Sequence, residues 1–127
     1  MKTILLIEDT HAILDNLTEY LEMEGFIILA ANNGREGIEL ARDYVPDLII
    51  CDVLMRDMDG HEVLRLLRAT PHTYEIPFIF STSMSEKVDR ATALKLGADD
   101  YIIKPFELET LLKMVKHWTQ PEYSVHK

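Results

Sequence analysis

Five short apolar runs alternate with five amphipathic segments along this chain, and few architectures accept that alternation. Ile4-Leu5-Leu6-Ile7 is apolar at every position, the pattern of a strand covered on both faces. Residues 11–24 follow with Ile13, Leu14, Leu17 and Leu21 at helical spacing, and Gly25 stands where a helix C-cap is expected. Residues 26–30 form a second apolar run, ended by Asn32-Asn33-Gly34. Residues 35–45 place Ile38, Ala41 and Val45 on one helical face before Pro46 stops the helix. Residues 47–52 (DLIICD) make a third strand, and after a loop to Gly60 the next helix turns Val63, Leu64 and Leu67 inward. A fourth strand starts at Pro77-Phe78-Ile79-Phe80. Ser83 or Ser85 is placed to N-cap a helix over 86–96 that Gly97 closes. Tyr101-Ile102-Ile103 is the fifth strand, and Pro105 precedes a last helix with Leu108, Leu111, Leu112 and Val115 on one face. Strand and helix alternating in this way predict an α/β fold with a parallel sheet and helices on both faces.

The rest of the composition narrows the setting. One cysteine, Cys51, closes no intramolecular disulfide, so a reducing compartment fits and a disulfide-framed secreted domain does not. The N-terminal apolar stretch ends at Glu8-Asp9, too early for a signal peptide or a membrane span, and a cytoplasmic location is expected. The net charge of −9 is unevenly placed: residues 1–63 carry 14 acidic and 4 basic side chains, residues 64–127 carry 8 and 9. Without a basic footprint, direct nucleic-acid binding is not expected. The acidic half suits a cation, and the near-neutral half suits a protein partner.

In an open parallel sheet, ligands bind beyond the carboxyl ends of the strands, where the strand order reverses. The first strand ends on Glu8-Asp9, the third on Asp52, the fourth on Thr82 and the fifth on Lys104-Pro105. Each has an ordinary explanation alone: first-turn carboxylates on a helix dipole, a cap, a strand-end hydroxyl, a solvated lysine. Together they converge. Two carboxylates about 4 Å apart repel by roughly 1 kcal/mol in water and roughly 4 kcal/mol at an effective dielectric of 20. Such a cluster either raises a pKa or binds a cation, and oxygen-rich sites with open positions suit Mg²⁺. A lysine and a hydroxyl add donors for phosphoryl oxygens, and an aspartate beside a divalent ion is a known covalent nucleophile.

The joint pattern resembles the receiver domain of two-component response regulators. The matching residues are Glu8-Asp9; Asp52 followed by Met55 and Met58-Asp59-Gly60; Thr82; and Ala98-Asp99-Asp100-Tyr101 leading to Lys104-Pro105-Phe106, in register from about residue 2 to 118. The resemblance implies a doubly wound (βα)5 fold of flavodoxin-like strand order 2-1-3-4-5, a receiver domain over 1–120, a short tail over 121–127 and no output domain. It implies that Asp52 accepts a phosphoryl group from a phosphohistidine on a sensor histidine kinase or phosphotransfer protein. Asp9, Asp52 and the Leu54 carbonyl would hold Mg²⁺, with Glu8 acting through water. Lys104 would pair with the phosphoryl oxygens, ahead of a cis bond to Pro105. Thr82 would bind the arriving group, and Tyr101 would turn inward, remodelling the face made by the fourth helix, fifth strand and fifth helix. The chain would then be a signalling phosphoacceptor that promotes its own phosphoryl transfer and dephosphorylation.

Four positions modulate that expectation. Arg56 stands where proline is common in the family and offers a cation near the acids; Ser83 replaces the usual alanine or glycine beside Thr82. Leu54 and Met84 are apolar at the two variable positions flanking the site, where they would obstruct attacking water. Leu54 also removes the second aspartate that an Asp-nucleophile phosphatase needs two residues on. No phosphate loop follows the first strand, against an FMN carrier. The remaining alternative is a degenerate receiver acting as a constitutive binding module. Cys51 reads as an inert buried hydrophobe, and the five histidines show no metal-ligand spacing. Lys87, Arg90 and Lys95 with Lys113 and Lys116 give the switching face a basic character suited to an acidic downstream protein or a homodimer.

Overall fold

The computed structural model describes residues 1–83 and 94–120. Met84, Ser85, Lys87, Arg90, most of the expected helix over 86–96 and the tail over 121–127 lie outside the described residues. Five strands form one parallel sheet of order β2-β1-β3-β4-β5: β1 (Thr3–Ile7), β2 (Ile27–Ala31), β3 (Leu48–Asp52), β4 (Phe78–Ser83) and β5 (Asp100–Lys104). Four helices are described between and after them: α1 (His11–Met23), α2 (Gly34–Tyr44), α3 (Gly60–Arg68) and a last helix (Leu108–Trp118). This is the doubly wound arrangement. The order reverses at β1, which lies between β2 and β3, so a crevice opens between the carboxyl ends of β1 and β3.

Strand periodicity divides the core in two. Leu5, Ile7, Ile49, Cys51, Phe78 and Phe80 face one side and pack with Ile38 and Ala41 of α2 and Val63, Leu64 and Leu67 of α3. Ile4, Leu6, Leu48, Ile50, Ile79 and Ile102 face the other, under Leu14, Leu17 and Leu21 of α1 and Leu111 and Val115 of the last helix. β3 is buried along its whole length, as a strand flanked on both edges and covered on both faces must be. Asp52 therefore sits at the end of the most desolvated strand of the sheet.

Helix ends follow local chemistry. Gly25, at φ 97°, closes α1: its N–H donates to the Glu22 carbonyl and the Phe26 N–H to the Leu21 carbonyl. α2 starts on Asn33, whose side chain accepts the Glu36 N–H at 2.8 Å. Its end differs from the expected inward Val45. That residue caps the helix in the left-handed region (φ 44°, ψ 68°) and is 47% exposed. The following Pro46 disfavours a helical residue before it. Ile13 is also half-exposed, because it lies at the edge of the apolar stripe, about 75° around α1 from the mean direction of Leu14, Leu17 and Leu21. Leu108, at the first position of the last helix, is 39% exposed. The Lys104–Pro105 bond is cis.

Gly60 fixes the approach of α3 to the site. Its N–H donates to the Val53 carbonyl at 2.6 Å, and a Cβ there would run into the backbone carbonyl of Asp52. Backbone cannot yield as a flexible side chain can, so Gly60→Ala is expected to cost about 1–3 kcal/mol of stability and to displace the end of β3. Urea unfolding of the variant checks this.

Candidate functional site

Four strand ends deliver the site. Glu8 and Asp9 directly follow β1, Asp52 ends β3, Thr82 and Ser83 end β4 and Lys104 ends β5. Ligand oxygens of Glu8, Asp9 and Asp52 lie within 4.8 Å of one another, the one cluster among the described residues that could hold a metal ion. Lys104 crosses to this cluster, its Nζ 2.5 Å from Asp52 Oδ1 and 2.9 Å from Glu8 Oε1. The other Glu8 oxygen accepts the Thr10 N–H at 3.0 Å. Glu8 is thus held directly on both sides.

The electrostatics follow from burial. Asp52 is 3% exposed and Glu8 4%. Desolvation and the neighbouring Glu8 carboxylate push the Asp52 pKa up to about 8, against the pull of Lys104. Burial raises Glu8 too, but the hydrogen bonds it shares with Asp52 and Lys104 outweigh it and leave Glu8 below its ordinary value. Burial works to lower Lys104, and its two acidic partners more than reverse this. The pair of buried carboxyls therefore shares one proton while Lys104 stays charged.

Register places the remaining residues. Asp52 pairs with Ser81, Ser83 with Lys104, and Phe80 with Tyr101. Ser83 is half-buried beside Lys104 on the α1 side of the sheet. Thr82 is 1% exposed and donates through Oγ1 to the Ser83 carbonyl. Its position falls on the opposite face, the one where half-buried Tyr101 packs against the Phe78–Phe80 core. Leu54 is 62% exposed at the mouth of the site. Arg56 reaches Asp9, as its position suggested: its Nε lies 3.7 Å from Asp9 Oδ2. Cys51 is fully buried and its thiol pKa is raised well above the ordinary value by desolvation, then by Asp52, in keeping with an inert side chain. Lys95, Lys113 and Lys116 are exposed.

Two anchors escape the sequence. Asp57 accepts the N–H groups of Gly34 and Arg35, each at 3.0 Å, tying the β3–α3 loop to the start of α2. Arg68 donates to the carbonyls of Tyr74, Ile76 and Gly97 and to Asp99 Oδ2, which also accepts the Phe78 N–H at 2.9 Å. That knot sets β5 beside β4. At the same end of β5, Asp100 receives the Trp118 indole N–H at 3.0 Å. Between α1 and the last helix an apolar groove of about 780 Å³, lined by Ile13, Leu17, Tyr20, Met23 and Phe106, opens beside Ser83 and Lys104.

The raised Asp52 has a consequence for stability. In metal-free protein it keeps its proton between about 4 and about 8, where the unfolded chain has lost it. Its contribution to stability is complete below the ordinary carboxylate range and is lost as pH rises through about 8. Glu8, lowered on folding, acts at lower pH and in the opposite sense. Melting temperatures in chelator are therefore expected to fall less between pH 5 and 8 in Asp52→Asn than in the parent chain, the difference isolating this group from the histidines.

The comparisons with known proteins meet this geometry from outside. The family model of the response regulator receiver domain matches residues 4–116. The transcriptional regulatory proteins CreB and CpxR of Escherichia coli (strain K12) are 39% and 35% identical over 94% and 96% of this chain. These alignments cover 55% and 53% of those proteins, so the chain spans about half the length of the curated relatives it matches. A response regulator receiver domain protein from Clostridium thermocellum superposes with a TM-score of 0.89 at 25% identity, over 98% of this chain and 99% of that one. The match to the family runs through every strand that delivers an acid, hydroxyl or lysine to the crevice, and the chain belongs to the response regulator receiver domains.

Proposed function

We propose that this chain is an Mg²⁺-dependent phosphoacceptor of a two-component phosphorelay, with Asp52 as the residue phosphorylated. The observation that carries the reading is a buried Asp52 with Lys104 on one oxygen and two further carboxylates beside it at the point where the strand order reverses. A carboxylate so placed is a poor residue for stability alone, since desolvating it is costly.

The donor is a phosphohistidine on a sensor kinase or phosphotransfer protein. Asp52, in its ionised form, attacks the phosphorus; a P–O bond to Asp52 forms as the P–N bond to the donor imidazole breaks, and the electron pair leaves with the imidazole. Lys104, already on Asp52, stays within reach of the phosphoryl oxygens and balances their charge. Asp9, Asp52 and the Leu54 carbonyl would hold Mg²⁺, and Glu8 would serve it through water while orienting Lys104. The residues fit that ion: three carboxylates supply all-oxygen donors here, with Lys104 the counter-charge of only two of them. When bound, the ion supplies positive charge to the attacking carboxylate and the transferring group. The apolar groove beside Lys104 offers a donor protein a seat next to the reacting atoms.

The output is a packing change. Thr82 takes a hydrogen bond to the new phosphoryl oxygens, and its movement lets Tyr101, on the same face of the sheet, turn further inward. The switched surface, with exposed Lys95, Lys113 and Lys116 near it, meets a downstream protein or a second copy of the chain. CreB and CpxR are transcriptional regulators by name; by that likeness, the switch feeds control of transcription, and this acidic receiver domain is not proposed to touch nucleic acid itself. We place it in the cytoplasm; among the described residues no helix is long and apolar enough to cross a membrane. It acts on itself rather than on a separate substrate, since Leu54 stands where a phosphatase would need its second acid.

Intact mass after incubation with acetyl phosphate is expected to show one added phosphoryl group that requires both Mg²⁺ and Asp52 and is absent in Asp52→Ala. A folded chain that gains no mass from acetyl phosphate or phosphoramidate would sink the reading in favour of a constitutive binding module. Exposed Leu54 screens the phosphorylated site from water, so Leu54→Asn is expected to shorten the phosphorylated lifetime by about threefold to tenfold, roughly 1 kcal/mol of barrier. The decay of the added mass measures it.

A further inference from the structure

We propose that Arg56 is a two-part latch on Asp9 that competes with the divalent cation, so that residue 56 sets how tightly this receiver holds its metal. The inference rests on the cation-binding reading above and concerns a residue outside its set of ligands. Asp9 Oδ2 has two contacts from the same residue. The Arg56 main-chain N–H donates to it at 3.2 Å, and the guanidinium Nε lies 3.7 Å from it. The first contact exists only because residue 56 carries an N–H, which proline lacks. The second brings a fixed positive charge to a carboxylate that would otherwise face the cation.

Exposure shows the arrangement. The Arg56 side chain is 86% exposed and the Asp9 side chain 18%, so a solvated guanidinium stands beside a mostly covered carboxylate. As a contribution to folding, such an exposed pair is worth little, about 0–1 kcal/mol. Its effect on a second cation is larger, because a divalent ion at the acid cluster meets both the repulsion of the guanidinium and a carboxylate with one oxygen already engaged. The main-chain half of the contact cannot simply swing clear, whatever the solvated guanidinium does. The neighbouring Asp57 is bound to the Gly34 and Arg35 N–H groups at the start of α2, which pins the loop with the Arg56 N–H against Asp9. Lys104 serves Asp52 and Glu8 on the other side of the cluster, leaving Asp9 to Arg56.

Two substitutions separate the parts: Arg56→Ala keeps the N–H and removes the charge, and Arg56→Pro removes both. MgCl₂ titrations followed by amide chemical shifts of residues 8–10 and 53–57, at low ionic strength and again near 1 M salt, read the affinity directly. Arg56→Ala is expected to bind Mg²⁺ about threefold to tenfold more tightly than the parent chain at low salt, and the gain should shrink at high salt, where screening acts within about 3 Å. Arg56→Pro should gain further, with a part that salt does not remove. Saturable binding with the same affinity in parent and Arg56→Ala at low salt would overturn the latch while leaving the cation site standing. No saturable shift in any of the chains would overturn the cation reading and the latch with it. Should the proline variant fail to fold, the alanine comparison at two salt concentrations decides.

Discussion

Asp52 is a carboxyl group taken almost wholly out of water, and the arrangement around it answers the cost of putting it there. A buried carboxylate stays charged only with a counter-charge at contact distance, and a second acid beside it makes that harder. Lys104 supplies one positive charge for two acids, Glu8 and Asp52, so the cluster is short of positive charge by design of the sheet. A shared proton fills the gap in the metal-free chain. The four strands that meet at this point come from separate parts of the sequence, and the parallel order 2-1-3-4-5 is what brings their ends together.

The two core faces give that charge imbalance somewhere to act. Asp52, Ser83 and Lys104 share the face covered by α1 and the last helix, while Thr82 and Tyr101 fall on the face that carries Phe78 and Phe80. Thr82 stands next to Ser83 in the chain, so at the end of β4 the two faces lie one residue apart. Interiors packed at this density respond by choosing between arrangements rather than by deforming gradually.

Much of this was legible beforehand because it rests on local pattern. Unbroken apolar runs such as Leu48–Cys51 mark strands buried on both faces, and polar residues at the ends of such runs stand out against them. Lys104 and Glu8, though 96 positions apart, could be paired in thought because both end strands of one parallel sheet. What stayed hidden depends on distant partners. Asp57 looks like one more acid in an acidic loop, and only the fold shows that its partners are N–H groups 22 and 23 residues earlier. Arg68 has the sequence signature of a solvated helix end, yet the turn before β4 and the turn before β5 both close upon its guanidinium. Val45 leaves its helical phase for a local reason: Pro46 ends the helix before that phase can apply.

Trp118 is the one tryptophan of the chain, and its indole N–H is spent on Asp100, the residue before Tyr101 on β5. Indole emission is sensitive to what the N–H donates to, so the protein carries an intrinsic optical probe against the strand that holds Tyr101. From the end of the last helix its indole meets the start of β5, at the end of the sheet away from the carboxylates. A spectral change there would be a signal that has travelled the length of a strand, separable from events at the metal and phosphoryl oxygens themselves.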